Sequence, residues 1–259
     1  MTRQARAIAC FIVLLLTALM LRPPGCRAAV VVFDRVTGVG RPVFLKAVTR
    51  GLIFTKGGRR VAIRIDGGPP VETLSGADGA AFLKYHPDKP GLRTVTAVSE
   101  GEEGSGTLLV LEPDEAVIVI GIEGGLQKGL FPEEKRRATR EVLSSLSRTY
   151  RLVYLTRWIG VGLVKTLLAK HQFPQSVVLS WRGESVFKQM ENSGVRVAAV
   201  IGSASLLQAA PDSIENRFTF DENHASAIGS WEEICKALQD GSEKADRPSC
   251  GKNPSRPEP

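Results

Sequence analysis

A change in hydrophobic periodicity near residue 112 divides the sequence into two parts that must fold differently. Before this point, short runs of alternating apolar and polar residues are separated by glycine-rich turns. After it, continuous apolar runs alternate with segments of helical period. The first pattern predicts an antiparallel β-sandwich, and the second predicts a parallel sheet with helices on both faces. The sequence therefore predicts two domains, residues 29–112 and residues 115–240.

The first part has the spacing of a small all-β module. Its strands include 42–49, where apolar residues alternate with polar ones, and its turns include Gly67–Pro70 and Asp78–Gly79. Asp-Gly turns reverse a chain where a positive φ is needed. The segments Gly40–Val43 and Gly76–Phe82 resemble those of bacterial immunoglobulin-like modules of extracytoplasmic proteins. This resemblance implies a domain that spaces, docks or binds rather than one that catalyses.

The second part alternates strand and helix. Apolar strands are predicted at 116–121, 152–156 and 195–201, with helices between them. In an open parallel sheet, ligands sit beyond the carboxyl ends of the strands. The residues that follow each strand are therefore the first candidates for a functional site.

Four segments in this part, taken in order, are similar to the motifs of the haloacid dehalogenase (HAD) superfamily. That family has an apolar strand ending in Asp-x-Asp-Gly-Thr, then a strand-terminal Ser or Thr, a lysine, and a strand ending in Gly-Asp. The matching segments here are Val117–Leu126, Val153–Arg157 with Thr156, Lys188, and Val197–Gly202. Within the superfamily, Tyr154–Arg157 and Phe173–Pro174 resemble phosphatidate phosphatase (lipin-like) catalytic domains. The resemblance implies a three-layer HAD-like (Rossmannoid) α/β domain.

The motif positions depart from the family's chemistry. Gly121 stands where the family has its aspartate nucleophile, and Glu123 stands where it has the general acid and base. Ser203 and Leu207 stand where the family's fourth-motif aspartates help to hold the metal. Because nucleophile and metal ligands are missing together, the sequence predicts a non-catalytic pseudophosphatase, without a metal or cofactor. The alternative is a divergent phosphohydrolase that works through Glu123 and Thr156 and requires Mg²⁺.

A binding role remains open at the same positions. The turn after the first strand, the strand-terminal hydroxyl and the lysine could hold an anion, because backbone N–H groups in such turns attract negative charge. These ligand-binding candidates are Glu123, Gly124, Gly125, Thr156 and Lys188. The alternative is that the glycines only permit a tight turn and Thr156 only caps a strand. The predicted partner is an envelope or extracellular protein or an anionic ligand, and a further alternative makes residues 29–112 the docking part.

The N-terminus has the three parts of an export signal. Arg3 and Arg6 precede an apolar run from Ile8 to Leu21, and small residues favour cleavage after Ala28. The run is about 14 residues long, which is short for a bilayer core of about 30 Å. Residues 1–28 are therefore predicted to be a cleaved signal peptide. The mature protein is predicted to be periplasmic or secreted and to have no stable membrane span. An uncleaved N-terminal anchor is the alternative.

The positive charge of the chain does not predict nucleic-acid binding. Four of the 34 basic residues lie within residues 1–28, so 30 remain against 27 acidic residues. No basic stripe interleaved with aromatic residues occurs in the sequence.

Two cysteines remain after signal cleavage, Cys235 and Cys250. In an oxidising compartment they could form a disulfide, and otherwise they are two unpaired thiols. Cys250 lies in a Lys/Asp/Pro/Ser-rich tail, 241–259, that is predicted to be disordered.

Overall fold

The computed structural model describes residues 29–51, 55–126 and 133–240. The predicted signal peptide and tail lie outside these residues. The chain forms two compact units. The first contains 29–32, Lys46–Leu83 and Thr96–Ser105, and the second contains Phe33–Leu45, Lys84–Val95 and 106–240. The predicted domain bounds, 29–112 and 115–240, stay a prediction.

Residues 29–112 form eight short strands. They are β1 (Ala29–Val32), β2 (Arg35–Gly38), β3 (Val43–Arg50), β4 (Arg60–Ile65), β5 (Val71–Leu74), β6 (Ala80–Tyr85), β7 (Gly91–Ser99) and β8 (Glu102–Leu111). One sheet has the order β1-β3-β6 and another the order β2-β8-β7-β4-β5. β1 pairs with β3 and β4 with β5 in antiparallel fashion, which confirms the β-rich antiparallel character predicted for this part. The separate strands β2 and β5 were not predicted, and β2 pairs with β8 in parallel.

The predicted Asp-Gly turn shows why glycine is required in this part. Gly79 has a φ of 76°, and a Cβ at this position would lie 2.8 Å from the Thr49 carbonyl oxygen. The Thr49 N–H in turn donates to the Gly79 carbonyl. No L residue with a side chain fits this backbone without displacing a neighbour.

Residues 115–240 supply a five-stranded parallel sheet. Its strands are β9 (Ala116–Gly121), β10 (Arg151–Thr156), β11 (Val177–Ser180), β12 (Arg196–Ile201) and β13 (Asn216–Phe218). Their order is β11-β10-β9-β12-β13, and each neighbouring pair is parallel. The helices are α1 (Glu133–Leu146), α2 (Val161–Lys170), α3 (Ser185–Asn192), α4 (Ala204–Ala209) and α5 (Trp231–Asp240). The short helix α4 was not predicted.

Alternate residues of β9 enter two separate cores. Ile118 and Ile120 pack with apolar residues of α1, α2 and α5. Val117 and Val119 pack with apolar residues of α3 and α4. Burial on both faces explains why β9 reads as a continuous apolar run rather than an alternating one.

The second of these cores also contains residues from β2 and β8. Val36, Leu109 and Leu111 are buried in the same cluster as Val117 and Val119. Asp34, just before β2, has a side chain with no exposed surface and forms an ion pair with Lys165 of α2, Nζ to Oδ1 2.5 Å. Its carboxylate also accepts hydrogen bonds from the N–H groups of Thr107 in β8 and Val178 in β11, both at 2.8 Å. Apolar packing and this buried carboxylate thus join strands from distant parts of the sequence within the second unit.

Cys235 of α5 is buried in the first of the two cores and is disulfide-bonded. Its predicted partner, Cys250, lies outside the described residues.

Candidate functional site

The predicted site lies at the carboxyl edge of the parallel sheet, where the chain leaves β9. A turn over Ile122–Leu126 follows the strand, with Glu123 in an extended conformation and Gly124 at a φ of 80°. The next strand in the sheet, β10, ends at Thr156, and the loop after it begins with Arg157. This edge is where open α/β sheets place their ligands.

The carboxylate of Glu123 is bound by the loop that follows β10. The backbone N–H groups of Arg157, Trp158 and Ile159 donate to Oε1, with N–O distances of 3.1, 2.9 and 3.2 Å. Arg157 N–H also lies 3.2 Å from Oε2. Three successive N–H groups around one acceptor form an anion cradle, and here the bound anion is a side chain of the protein itself.

Thr156 completes this arrangement. Its hydroxyl lies 3.0 Å from Glu123 Oε1 and 2.7 Å from the Ile159 carbonyl oxygen. A hydroxyl has one proton, so it donates to one of these two acceptors at a time. The structure therefore brings together two of the predicted site residues, Glu123 and Thr156, and uses each to hold the other.

The hydrogen bonds change the acidity of Glu123. Burial alone would raise the pKa of this carboxyl, but the backbone N–H groups and the Thr156 hydroxyl outweigh it, and the pKa lies below its usual value. A carboxylate with a lowered pKa is a weaker base than an ordinary glutamate. The group is thus stabilised as an anion rather than prepared to accept a proton.

The glycines of the site are packed against the loop that follows β12. A Cβ on Gly121 would lie 2.8 Å from the Leu206 side chain, which is buried. A Cβ on Gly124 would lie 2.8 Å from Ser203 Cα, and one on Gly125 would lie 3.2 Å from the Ile201 carbonyl oxygen. The position at which the sequence lacks a nucleophile is therefore one at which no side chain fits without a shift of its neighbours.

Two other predicted residues have contacts of their own. Lys188 lies on α3 and forms an exposed ion pair with Glu184, Nζ to Oε2 3.1 Å. Ser203 precedes α4, and its hydroxyl lies 3.1 Å from that of Ser205. Neither forms a hydrogen bond with Glu123 or Thr156. The assignment of Glu123, Gly124, Gly125, Thr156 and Lys188 to ligand binding stays a prediction.

An arginine in contact with two indole rings was not predicted from the sequence. The Arg157 guanidinium carbon lies 4.8 Å from the ring centroid of Trp158 and 5.3 Å from that of Trp181. Trp181 is buried, whereas 78% of the Trp158 surface is exposed. The available signal was that Arg157-Trp158 and Trp181-Arg182 each follow a predicted strand at the same edge of the sheet.

A cavity of about 330 Å³ was also missed. It is lined mainly by residues near β13 and α5, among them Phe220, Glu222 and Trp231. The rings of Phe220 and Trp231 are in contact, with centroids 5.4 Å apart.

Among residues 29–51, 55–126 and 133–240, no group of three or more His, Cys, Asp or Glu side chains is arranged to hold a metal ion. Within the same ranges, no helix combines the length and the apolar character needed to cross a bilayer.

Comparison with known proteins yields similar structures but no family. No family model matches the chain, and no curated protein matches it. The D00–D0 domain of intimin is 16% identical with a TM-score of 0.28, over 33% of this chain and 48% of that one. Invasin, a bacterial integrin-binding protein, is 20% identical with a TM-score of 0.27, over 33% of this chain and 18% of that one. An IG27 protein domain is 14% identical with a TM-score of 0.27, over 34% of this chain and all of that domain.

These findings correct the family assignment. The predicted membership of residues 115–240 in the haloacid dehalogenase superfamily, with the lipin-like resemblance, is wrong: no family model matches the chain, and no structure of that superfamily was found among the similar ones. The residues that suggested it have local structural roles. The Tyr154 hydroxyl donates to the Pro174 carbonyl oxygen at 3.0 Å, and Thr156 binds Glu123. The antiparallel pairing within residues 29–112 agrees with the β-sandwich predicted for that part, whereas its immunoglobulin-like family stays a prediction.

Proposed function

We propose that this is an exported, non-catalytic protein that acts by binding a partner. The observation that carries the proposal is the set of hydrogen bonds that the Glu123 carboxylate accepts. Its carboxylate is bound by three backbone N–H groups and faces the Thr156 hydroxyl.

A general acid or base must exchange a proton with a substrate while the reaction proceeds. Its pKa serves this purpose best near the working pH, and it must reach the reacting atom. The pKa of Glu123 is lowered, away from neutral pH. Its carboxylate accepts hydrogen bonds from the protein's own loop. The remaining candidates supply no accessible nucleophile, since Gly121 has no side chain and the Thr156 side chain is fully buried.

The same hydrogen bonds fix a loop that is well suited to recognition. Arg157 and Trp158 donate their N–H groups to Glu123 while their side chains lie at the protein surface. A loop whose backbone is fixed before binding loses less conformational entropy when a partner arrives. Binding through this edge of the sheet therefore agrees with the geometry better than catalysis does.

Export is the second part of the proposal. The basic, apolar and small-residue segments of residues 1–28 have the order of a signal peptide. The disulfide bond of Cys235 supports an oxidising compartment, because such bonds persist outside the cytosol. The proposed location is the periplasm or the exterior of the cell.

The test is phosphate release by the purified protein from lipid and small phosphomonoesters, with and without Mg²⁺. We expect no release above that of the Thr156→Ala variant, and Glu123→Gln should reduce stability without changing the background. Metal-dependent release that Glu123→Gln abolishes would contradict the proposal and favour the phosphohydrolase alternative. Fractionation of cells tests export separately, and an intact N-terminus found only in the cytosol would contradict it.

A further inference from the structure

We infer that Arg157, Trp158 and Arg182, together with the buried Trp181, form a docking surface for a partner protein that presents a carboxylate beside an apolar side chain. We call these four residues the Arg–Trp surface. The inference rests on the proposed function, because it names the class of partner and the residues that meet it.

The Arg157 guanidinium contacts two aromatic rings. Its guanidinium carbon lies 4.8 Å from the ring centroid of Trp158 and 5.3 Å from that of Trp181. A guanidinium in contact with aromatic rings keeps its N–H groups available for hydrogen bonds in its own plane, where they match a carboxylate bidentately. Lysine has no such planar fork, so the rings and the arginine together define a specific recognition group.

The Arg–Trp surface carries the positive charges of two arginine side chains. Among residues 29–51, 55–126 and 133–240, neither Arg157 nor Arg182 forms an ion pair, although both are exposed. The carboxylate of Glu123 accepts from the Arg157 backbone N–H rather than from its guanidinium. The surface therefore presents positive charge that an acidic group of a partner can neutralise.

Apolar side chains are exposed on the loop after β10 and at the start of α2. Trp158 is 78% exposed, and Leu163 in the first turn of α2 is 58% exposed. Tryptophan and arginine are the residues most enriched among those that dominate protein–protein binding energy. A tryptophan on a loop fixed by three hydrogen bonds has the properties of such an anchor.

These features favour a protein over a lipid surface. Recognition of anionic lipid by sequence usually involves a cluster of about four to eight basic residues. The Arg–Trp surface offers two arginines, one of them in contact with two indole rings. A single oriented fork suits one carboxylate in a defined position, which a folded or peptide partner supplies.

The test uses a random dodecapeptide library displayed on phage and selected on the full-length purified protein. We expect the enriched peptides to carry Asp or Glu next to an aliphatic or aromatic residue. Their dissociation constants should rise at least tenfold with Arg157→Lys and with Trp158→Ala. Arg64→Lys, on an exposed arginine of β4, is the matched control and should leave binding unchanged.

Three outcomes would overturn the inference. One is that no peptide is enriched, and another is that enriched peptides bind the Arg157→Lys variant as well as they bind the unmodified protein. The third is Arg157-dependent binding to vesicles of phosphatidylcholine and phosphatidylglycerol without peptide binding, which would assign the surface to a membrane. Thermal unfolding of each variant shows whether the fold is retained. Failure of the docking surface leaves the proposed function standing, whereas Glu123-dependent phosphate release would overturn that function whatever the peptides do.

Discussion

Two carboxylates in the second unit are held by backbone N–H groups, and they are held in different ways. Asp34 has a side chain with no exposed surface, accepts from Thr107 and Val178, and is paired with the ammonium group of Lys165. Glu123 is only partly buried and accepts from three consecutive N–H groups of one loop, and among the described residues no lysine or arginine side chain donates a hydrogen bond to it. Asp34 thus links three elements, whereas Glu123 organises a single loop.

The comparison shows what each carboxylate does for the fold. The hydrogen bonds of Asp34 reach residues 73 and 144 positions away in the sequence, so the bonds are tertiary contacts. One of them satisfies an N–H of β11, which is an edge strand of the parallel sheet. The bonds of Glu123 fix the Arg157–Ile159 backbone at the surface. Loss of Asp34 should therefore affect global stability, and loss of Glu123 should act mainly on the loop.

The largest effect is expected for Asp34→Asn. The substitution leaves the Lys165 ammonium without its partner and places an amide among N–H donors. Removal of one member of a buried ion pair costs about 3–5 kcal/mol, so we expect the free energy of unfolding to fall by about 4 kcal/mol. Urea denaturation measures the change, with Asp88→Asn on an exposed aspartate as the control. A loss below about 1 kcal/mol, the range of exposed pairs, would show that Asp34 is not the tertiary link described here.

A smaller loss is expected for Gly124→Ala in the turn that carries Glu123. Gly124 has a φ of 80°, and an added Cβ would lie 2.8 Å from Ser203 Cα. The left-handed backbone costs about 1–2 kcal/mol and overpacking about 1–3, so we expect a loss of about 3 kcal/mol. Gly183→Ala is the matched control, because Gly183 has a φ of 68° and its added Cβ would meet no atom within 4 Å beyond its chain neighbours in the described residues. Equal stability of the two variants would contradict the close packing of the turn against Ser203.

Glu123→Gln tests whether Glu123 stabilises only its loop or the whole unit. The amide keeps one acceptor oxygen but loses the charge that strengthens the hydrogen bonds. Hydrogen bonds to charged groups contribute about 1.5–3 kcal/mol, and partial exposure reduces this, so we expect a loss of about 1.5 kcal/mol. Amide hydrogen exchange should become faster at Trp158 and Ile159 and stay unchanged at Thr107 and Val178. Faster exchange at all four amides would mean that Glu123 supports the unit globally, as Asp34 does, and Glu103→Gln serves as the exposed control.

These two carboxylates also show how far the sequence could be interpreted. The change of periodicity predicted the parallel strands and most helices, because burial on both faces leaves a continuous apolar run in β9. The position of Glu123 after β9 and of Thr156 at the end of β10 placed both residues at one edge of the sheet. The sequence could not show that they bind each other, since N–H donors have no side-chain signature. Asp34 left no signal, because its partners lie far along the chain, and Trp158 looked like an ordinary loop residue.

The smallest effect is the pH dependence of the Glu123 contribution. The pKa of Glu123 is lower in the folded protein than its usual value of 4.5, so the unfolded chain binds this proton more readily than the folded one. The contribution of the ionised Glu123 carboxylate to the stability of the folded protein is therefore fully present above pH 4.5. It is lost as the pH falls through the pKa that Glu123 has in the folded protein. We expect the stability difference between the unmodified protein and Glu123→Gln to be constant between pH 7 and about pH 5.5 and to decrease below about pH 4.5. Urea denaturation of both proteins across this range measures it, with the Glu103→Gln pair as reference. A difference that grows as the pH falls would mean that the protonated form is the one stabilised in the fold, and the carboxylate would then be a candidate proton donor rather than a fixed anion.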